Sequence, residues 1–114
     1  MSFIGSGQQA ESAVVTHLVA LGYKVLFKNW RTRRCEIDIV ASKGKCVYFV
    51  EVKYRQQATQ GSGFDYITAK KLKQMRFGAE MWVSEYRWTG DYCLAAAEVS
   101  GTDFLVTGFE TGFL

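Results

Sequence analysis

The sequence predicts an α/β protein with a mixed central sheet flanked by helices. Two segments, 8–22 and 66–85, carry apolar residues at helical spacing. Five others are rich in β-branched and aromatic residues and predict strands, namely 23–30, 36–41, 47–53, 91–99 and 103–109. The order is therefore helix, three strands, helix, two strands, which is typical of helices packed on a mixed sheet.

The composition indicates one globular domain over residues 1–114. A hydrophobic content of 48% and a charged content of 22% are ordinary for such a domain. The net charge of +3 permits an anionic partner without demonstrating one. The three cysteines lack the spacing of a zinc site or a disulfide framework. We find no signal peptide and no apolar run of roughly 20 residues, so we expect a cytoplasmic protein without a membrane partner.

The first predicted helix carries one carboxylate beside its apolar stripe. Ala10, Val14 and Leu18 recur at helical spacing, and Glu11 borders this stripe. Glu11 either lies at the edge of the stripe in contact with water or points at a specific group, and both interpretations stay open. The single histidine, His17, has no recognisable triad spacing, and we assign it no catalytic role.

The chain is organised around a predicted hairpin with acidic residues on both strands. The strands 36–41 and 47–53 are joined by a short polar link. If the turn is centred on Gly44 and Lys45, strand alternation places Asp38 directly opposite Glu51. Two carboxylates placed in this way repel each other unless a positive charge lies between them.

Two interpretations of this acidic pair follow from the residues. A hard divalent cation such as Mg²⁺ would remove the repulsion between Asp38 and Glu51. Lys53 would then project beside the metal, where it could stabilise a developing oxyanion or position a water. The alternative is a solvated sheet face on which Glu36 and Lys53 form an ion pair. The hairpin alone does not separate the two.

The spacing Asp38-x12-Glu51-x-Lys53 resembles the signature of the PD-(D/E)XK nucleases. Glu36-Ile-Asp-Ile-Val and Phe49-Val-Glu-Val-Lys-Tyr-Arg55 are similar in particular to motifs of the YraN-like family, small restriction-endonuclease-like proteins similar to archaeal Holliday-junction resolvases. This resemblance implies an αβββαβ core. It also implies a metal-dependent nuclease that hydrolyses phosphodiester bonds in DNA, with branched DNA as a candidate substrate.

The resemblance also implies roles for individual residues. Asp38, Glu51 and the carbonyl of Val52 would hold Mg²⁺ or Mn²⁺. Lys53 would orient or deprotonate the attacking water, and Glu11 would be an accessory catalytic ligand. A homodimer is expected by analogy with the resolvases. Three features depart from the family: the usual second glycine is not evident in Gly7-Gln-Gln-Ala-Glu11, Cys35 stands where a glycine is typical, and the C-terminal Arg-Phe-Asp motif is missing.

Basic residues are expected around the acidic site. The turn 31–34 contains three arginines, which form either a solubilising turn or a phosphate clamp. We expect a nucleic-acid-binding rim, in contact with DNA in preference to RNA, made of Arg31, Arg33, Arg34, Arg55 and Lys70. Lys71, in contrast, is expected on a generic solvated helix face.

A non-catalytic nucleic-acid-binding or assembly protein on the same fold is the competing function. The altered terminal motifs favour it, whereas the complete set of predicted ligands argues against it. The segment 56–63 is predicted to be a surface loop that either closes over a nucleic acid or has no such role. The residues do not separate RNA from DNA, because only contacts with the 2′-hydroxyl would do so.

Overall fold

The computed structural model describes residues 5–57 and 63–113. Two helices and five strands follow one another in the predicted αβββαββ order, so the predicted fold class is confirmed. The elements are α1 (Ser6–Ala20), β1 (Lys24–Arg31), β2 (Glu36–Lys43), β3 (Cys46–Arg55), α2 (Ala69–Glu85), β4 (Asp91–Ser100) and β5 (Leu105–Phe113). Among the described residues, neither helix is long and apolar enough to cross a membrane.

The five strands form one sheet in the order β1-β2-β3-β4-β5. The pairs β1–β2, β2–β3 and β4–β5 are antiparallel, whereas β3 and β4 are parallel. A parallel pair needs a crossover connection, and the segment that contains α2 provides it. The β2–β3 turn consists of Gly44 and Lys45, so it is shorter than the predicted link 42–46 but has the same centre. Gly44 adopts a φ of 61° that a glycine accepts without strain.

Each face of the sheet has its own apolar core. On one face α1 buries Ala10, Val14 and Leu18 against β-strand residues such as Ile39 and Val50. The spacing of four between the helical residues places them on one face of α1, as the sequence predicts.

On the other face α2 packs its buried residues on the sheet. Met75, Ala79 and Trp82 contact the cluster that contains Val40 and Phe49. Because the consecutive residues Ile39 and Val40 belong to different clusters, the two helices lie on opposite sides of the sheet.

The second helix begins later than the predicted residue 66. Its N-cap is Thr68, whose hydroxyl accepts a hydrogen bond from the Lys71 N–H at 3.1 Å. Gly63 to Tyr66 instead form turns before the helix. The predicted loop 56–63 falls largely on residues 58–62, outside the described part of the chain.

The last two strands are longer than predicted. β4 covers Asp91–Ser100, and β5 covers Leu105–Phe113, beyond the expected end at residue 109. The turn between them contains Gly101, which has a φ of 81° and therefore suits glycine.

Candidate metal and nucleic-acid site

The candidate site lies where the central sheet divides. The ladder between β2 and β3 ends at Ile39 and Val50. Beyond this point β2 stays paired with β1 through its first residue, and β3 stays paired with β4 as far as Arg55. The two inner strands therefore separate, and we call the opening between residues 36–38 of β2 and 51–53 of β3 the fork.

Asp38 lies in the fork, and its side chain binds a backbone N–H of β3. Its Oδ2 accepts a hydrogen bond from the Val52 N–H at 2.8 Å. In an antiparallel ladder, the N–H and C=O of a residue point to the same side of the strand. The Val52 carbonyl is therefore directed into the fork with Asp38, where it is suited to be a third oxygen ligand, as the resemblance implies.

The electrostatics of Asp38 are unfavourable to its negative charge. The pKa of Asp38 is raised to about 7, mainly by burial and then by the negative charge of Glu51. The hydrogen bond from the Val52 N–H lowers the pKa and opposes both effects. The sequence predicts that these two carboxylates repel each other, and the charge of Glu51 is the second cause of the raised pKa, after burial.

Glu51 is the second carboxylate of the fork, and its partner is a lysine of α2. Lys71 Nζ lies 3.0 Å from Glu51 Oε1, and the side chains are only 34% and 17% exposed. Burial raises the pKa of Glu51, whereas the hydrogen bond and the charge of Lys71 lower it. The prediction of Lys71 on a generic solvated face is therefore wrong. No sequence pattern indicates this contact, because it depends on how α2 packs on the sheet.

Lys53 is exposed beside Glu51, and its charge lowers the pKa of that carboxyl. Its Nζ lies 5.9 Å from the ring centre of Tyr66, within the range of a cation–π contact. The same ring lies 5.7 Å from the guanidinium carbon of Arg55. Tyr66 was expected to be the first residue of a helix and was not recognised as part of the site.

The Tyr66 hydroxyl is buried and has no hydrogen-bond partner within the described residues. Burial raises its pKa, as do the charges of Glu51 and Asp38, so the phenol stays protonated and faces an acidic environment. The other such atom, the indole nitrogen of Trp82, belongs to the core beneath α2. A buried donor without a partner is costly, so this hydroxyl does not contribute to the stability of the fold.

The fit of the site to a divalent cation depends on a small set of oxygens. Asp38 and Glu51 supply two hard carboxylates, and the Val52 carbonyl supplies a neutral oxygen, which is a donor set that Mg²⁺ and Mn²⁺ accept with water completing the shell. Glu11 is half-buried on α1 and raises the pKa of Asp38 only weakly. Within residues 5–57 and 63–113, no three acidic, histidine or cysteine side chains group closely enough to form a metal centre, so Glu11 does not join the pair.

Four of the five predicted rim residues are exposed: Arg31, Arg33, Arg34 and Lys70. Arg31 also forms a long ion pair with Glu36, 3.5 Å between the charged atoms, with both side chains well exposed. An ion pair of this kind contributes little stability, so Arg31 remains available to a phosphate.

Arg55 is the exception, and its predicted place in the exposed rim is wrong. Its side chain is 7% exposed, and its Nε lies 3.0 Å from the equally buried carboxylate of Glu98. The guanidinium also donates to Asp65 and to the carbonyl of Gly63, each at 3.3 Å. Glu98 in turn accepts from the Gly63 N–H. Arg55 therefore attaches the segment that carries Tyr66 to the sheet.

A pocket of about 190 Å³ lies between the arginine turn and α2. It contains cations and carboxylates together, and its lining includes Arg34, Glu36, Glu51, Lys71 and Gln74. A larger pocket of about 430 Å³ lies elsewhere, beside Trp30, Phe77 and Met81. We favour the smaller pocket as the functional one because it opens on Glu51.

The fold and the site together define a class of protein: a small two-helix α/β domain with an acidic pair at a fork in a mixed sheet. Comparison with known sequences gives a narrower assignment. The profile of the uncharacterised protein family UPF0102 matches residues 10–103. The chain belongs to this family, which confirms the YraN-like resemblance at the family level.

Several bacterial relatives show the extent of the similarity. A UPF0102 protein of Chlorobium phaeobacteroides is 40% identical over 88 residues, covering 75% of this chain and 70% of the relative. One from Pseudomonas fluorescens is 36% identical over 93 residues, covering 81% and 78%. One from Cytophaga hutchinsonii is 31% identical over 106 residues, covering 93% and 94%.

Proposed function

We propose that this protein is a metal-dependent nuclease of the PD-(D/E)XK type that hydrolyses phosphodiester bonds in DNA. The observation that carries the proposal is the fork, where Asp38 accepts a hydrogen bond from the Val52 N–H, the charge of Glu51 raises the pKa of Asp38, and the charge of Lys53 lowers the pKa of Glu51. A purely structural sheet would continue its backbone ladder here and would place apolar residues at these positions.

Each residue of the fork has a role in this proposal. Asp38, Glu51 and the Val52 carbonyl hold Mg²⁺ or Mn²⁺. The bound ion supplies Lewis acidity and lowers the pKa of a coordinated water. Lys53 is exposed next to Glu51, where its ammonium group orients the attacking water or stabilises the charge that develops on the phosphate.

The proposed substrate is a nucleic acid because exposed arginines flank the fork, and the resemblance to DNA nucleases favours DNA. Arg31, Arg33 and Arg34 belong to the β1–β2 connection or its edge, and Lys70 lies in the first turn of α2. Each phosphate contact that is lost should reduce the slope of log binding constant against log salt by about 0.9 for duplex DNA. Single neutralisations that all leave this slope unchanged would place the nucleic acid elsewhere.

A non-catalytic nucleic-acid-binding or assembly protein is the second candidate. It is favoured by the position of Glu11 outside the acidic pair and by the ion pair that Lys71 already forms with Glu51. Calorimetric titration with Mg²⁺ and Mn²⁺ separates the candidates, because a pure binding module has no need of either ion. A homodimer stays a prediction, which sedimentation at several protein concentrations would check.

Cleavage of a labelled panel tests the nuclease directly. The panel contains linear, flap and four-way DNA, with single-stranded RNA as a further substrate, and is incubated with Mg²⁺ or Mn²⁺. Lys53→Met should abolish cleavage while leaving metal binding in place. Lys24→Met is the matched control, because it removes the same charge from an exposed residue. Lys24 lies at the end of β1 that is remote from the fork. Equal loss in both variants, or no cleavage by the unaltered protein, would contradict the proposal.

A further inference from the structure

Lys71 has a position that helix stability does not explain. It lies in the first turn of α2, where its backbone N–H is bound by Thr68 and where no acidic residue is present. A positive charge at this end of a helix is opposed by the macrodipole. The position is therefore better explained by what its ammonium group contacts, and that is Glu51 at 3.0 Å.

The contact places a cation of the chain at one of the carboxylates assigned to the metal. An ammonium group at Glu51 and a divalent ion at Glu51 compete for the same carboxylate charge. When the ion is bound, it neutralises the Glu51 carboxylate, and the attraction between Lys71 and Glu51 becomes weaker.

The pocket beside Glu51 gives Lys71 a second partner. Lys71 and Arg34 line it together, and its volume of about 190 Å³ is large enough to admit a phosphate group. Lys73, two positions further along α2, points away from this pocket because successive helical residues are about 100° apart.

We propose that Lys71 is a substrate-binding residue that exchanges partners. Without a divalent ion it neutralises Glu51, and with the ion bound it turns to a DNA phosphate held jointly with Arg34. Lys71 thereby couples the binding of metal to the binding of the nucleic-acid backbone. This inference rests on the proposed nuclease function.

The first experiment measures metal affinity without DNA. Calorimetric titration with Mn²⁺ should give a dissociation constant about threefold to tenfold lower for Lys71→Met than for the unaltered protein, since the competing ion pair is lost. Lys73→Met removes the same charge from the same helix and should bind Mn²⁺ as the unaltered protein does. Circular dichroism confirms that each variant is folded.

The second experiment measures DNA binding in a background that does not cleave. Lys53→Met and the double variant Lys53→Met/Lys71→Met are titrated with a 20-base-pair duplex over a range of salt, with and without Mn²⁺. The double variant should lose about 0.9 of salt slope when Mn²⁺ is present and should match its parent when Mn²⁺ is absent. This dependence on the ion is the signature of the exchange.

The outcomes separate this inference from the proposed function. If the unaltered protein binds no Mn²⁺, the nuclease proposal fails and the exchange fails with it. If the unaltered protein binds Mn²⁺ and Lys71→Met binds it equally or more weakly, only the exchange is overturned. An equal loss of salt slope with and without Mn²⁺ would also overturn it, because Lys71 would then be a permanent phosphate contact.

Discussion

Replacing Asp38 by asparagine should stabilise the metal-free protein, and the gain should grow with pH. The carboxylate is buried beside Glu51, and its pKa in the folded protein is about 7, against an ordinary value of 3.8. Asparagine keeps the acceptor oxygen that the Val52 N–H needs, at 2.8 Å in the present structure. The substitution therefore removes the charge without removing the hydrogen bond.

The magnitude follows from the difference between the two pKa values of Asp38. A rise from 3.8 to about 7 is about three pKa units, and each unit corresponds to 1.36 kcal/mol. Below pH 4 the carboxyl is protonated in both states and costs nothing. Between about pH 4 and pH 7 the unfolded state loses this proton while the folded state keeps it, so the free energy of unfolding falls across that range, and above pH 7 the loss is complete. We expect a loss of about 2–4 kcal/mol at pH 8, because partial solvent access reduces the upper value.

Urea unfolding of the unaltered protein and Asp38→Asn at pH 4.5, 6 and 8 measures this effect. Asp38→Asn should be the more stable protein, with the smallest difference at pH 4.5, about 1 kcal/mol, a larger one at pH 6 and the largest at pH 8. Addition of Mg²⁺ at pH 8 should stabilise only the unaltered protein, since an amide is a poor ligand for a hard cation. A variant that is less stable at pH 8, with an unaltered protein that ignores Mg²⁺, would refute the reasoning and make Asp38 a structural residue.

Two further predictions concern residues that support the fork. Arg55→Met leaves the Glu98 carboxylate buried and unpaired, so it should lower the free energy of unfolding by about 3–5 kcal/mol in urea titrations. Arg31→Met breaks an exposed ion pair and should lower the free energy of unfolding by at most about 1 kcal/mol. Equal losses in Arg55→Met and Arg31→Met would show that burial does not make the Arg55–Glu98 pair more important for stability. Tyr66→Phe removes a buried hydroxyl without a partner in the described chain and should raise the metal-free free energy of unfolding by about 1–2 kcal/mol. A loss of more than about 1 kcal/mol would mean that the hydroxyl has a stabilising contact.

The local parts of the site could be predicted from the sequence. Strand alternation and a link centred on Gly44 and Lys45 predict the register of the hairpin, and the observed pairs follow that register as far as Ile39 and Val50, next to Asp38 and Glu51. The resemblance to a known motif then suggested the Val52 carbonyl and Lys53.

The parts that depend on packing could not be predicted. Arg55 pairs with Glu98, 43 residues later in the chain, and a sequence pattern does not reveal such a partner. Lys71 looked like its solvated neighbours until α2 was placed over Glu51. Tyr66 lies within the predicted helix 66–85, whereas the helix begins only after the Thr68 cap, so its contacts with Lys53 and Arg55 depend on a turn that the sequence pattern does not reveal.

The fork also means that the two carboxylates are held by different parts of the sheet. Glu51 belongs to a strand whose parallel register with β4 continues for ten residue pairs, from Cys46 to Arg55. Asp38 lies in the part of β2 that is paired only with β1, the outer strand. The register of β1 with β2 shifts between Val25 and Phe27. The distance between the carboxylates is thus set by the twist of the outer hairpin relative to the rest of the sheet. Under the proposed function, a substitution in β1 that touches neither carboxylate would therefore alter the fit of the ion.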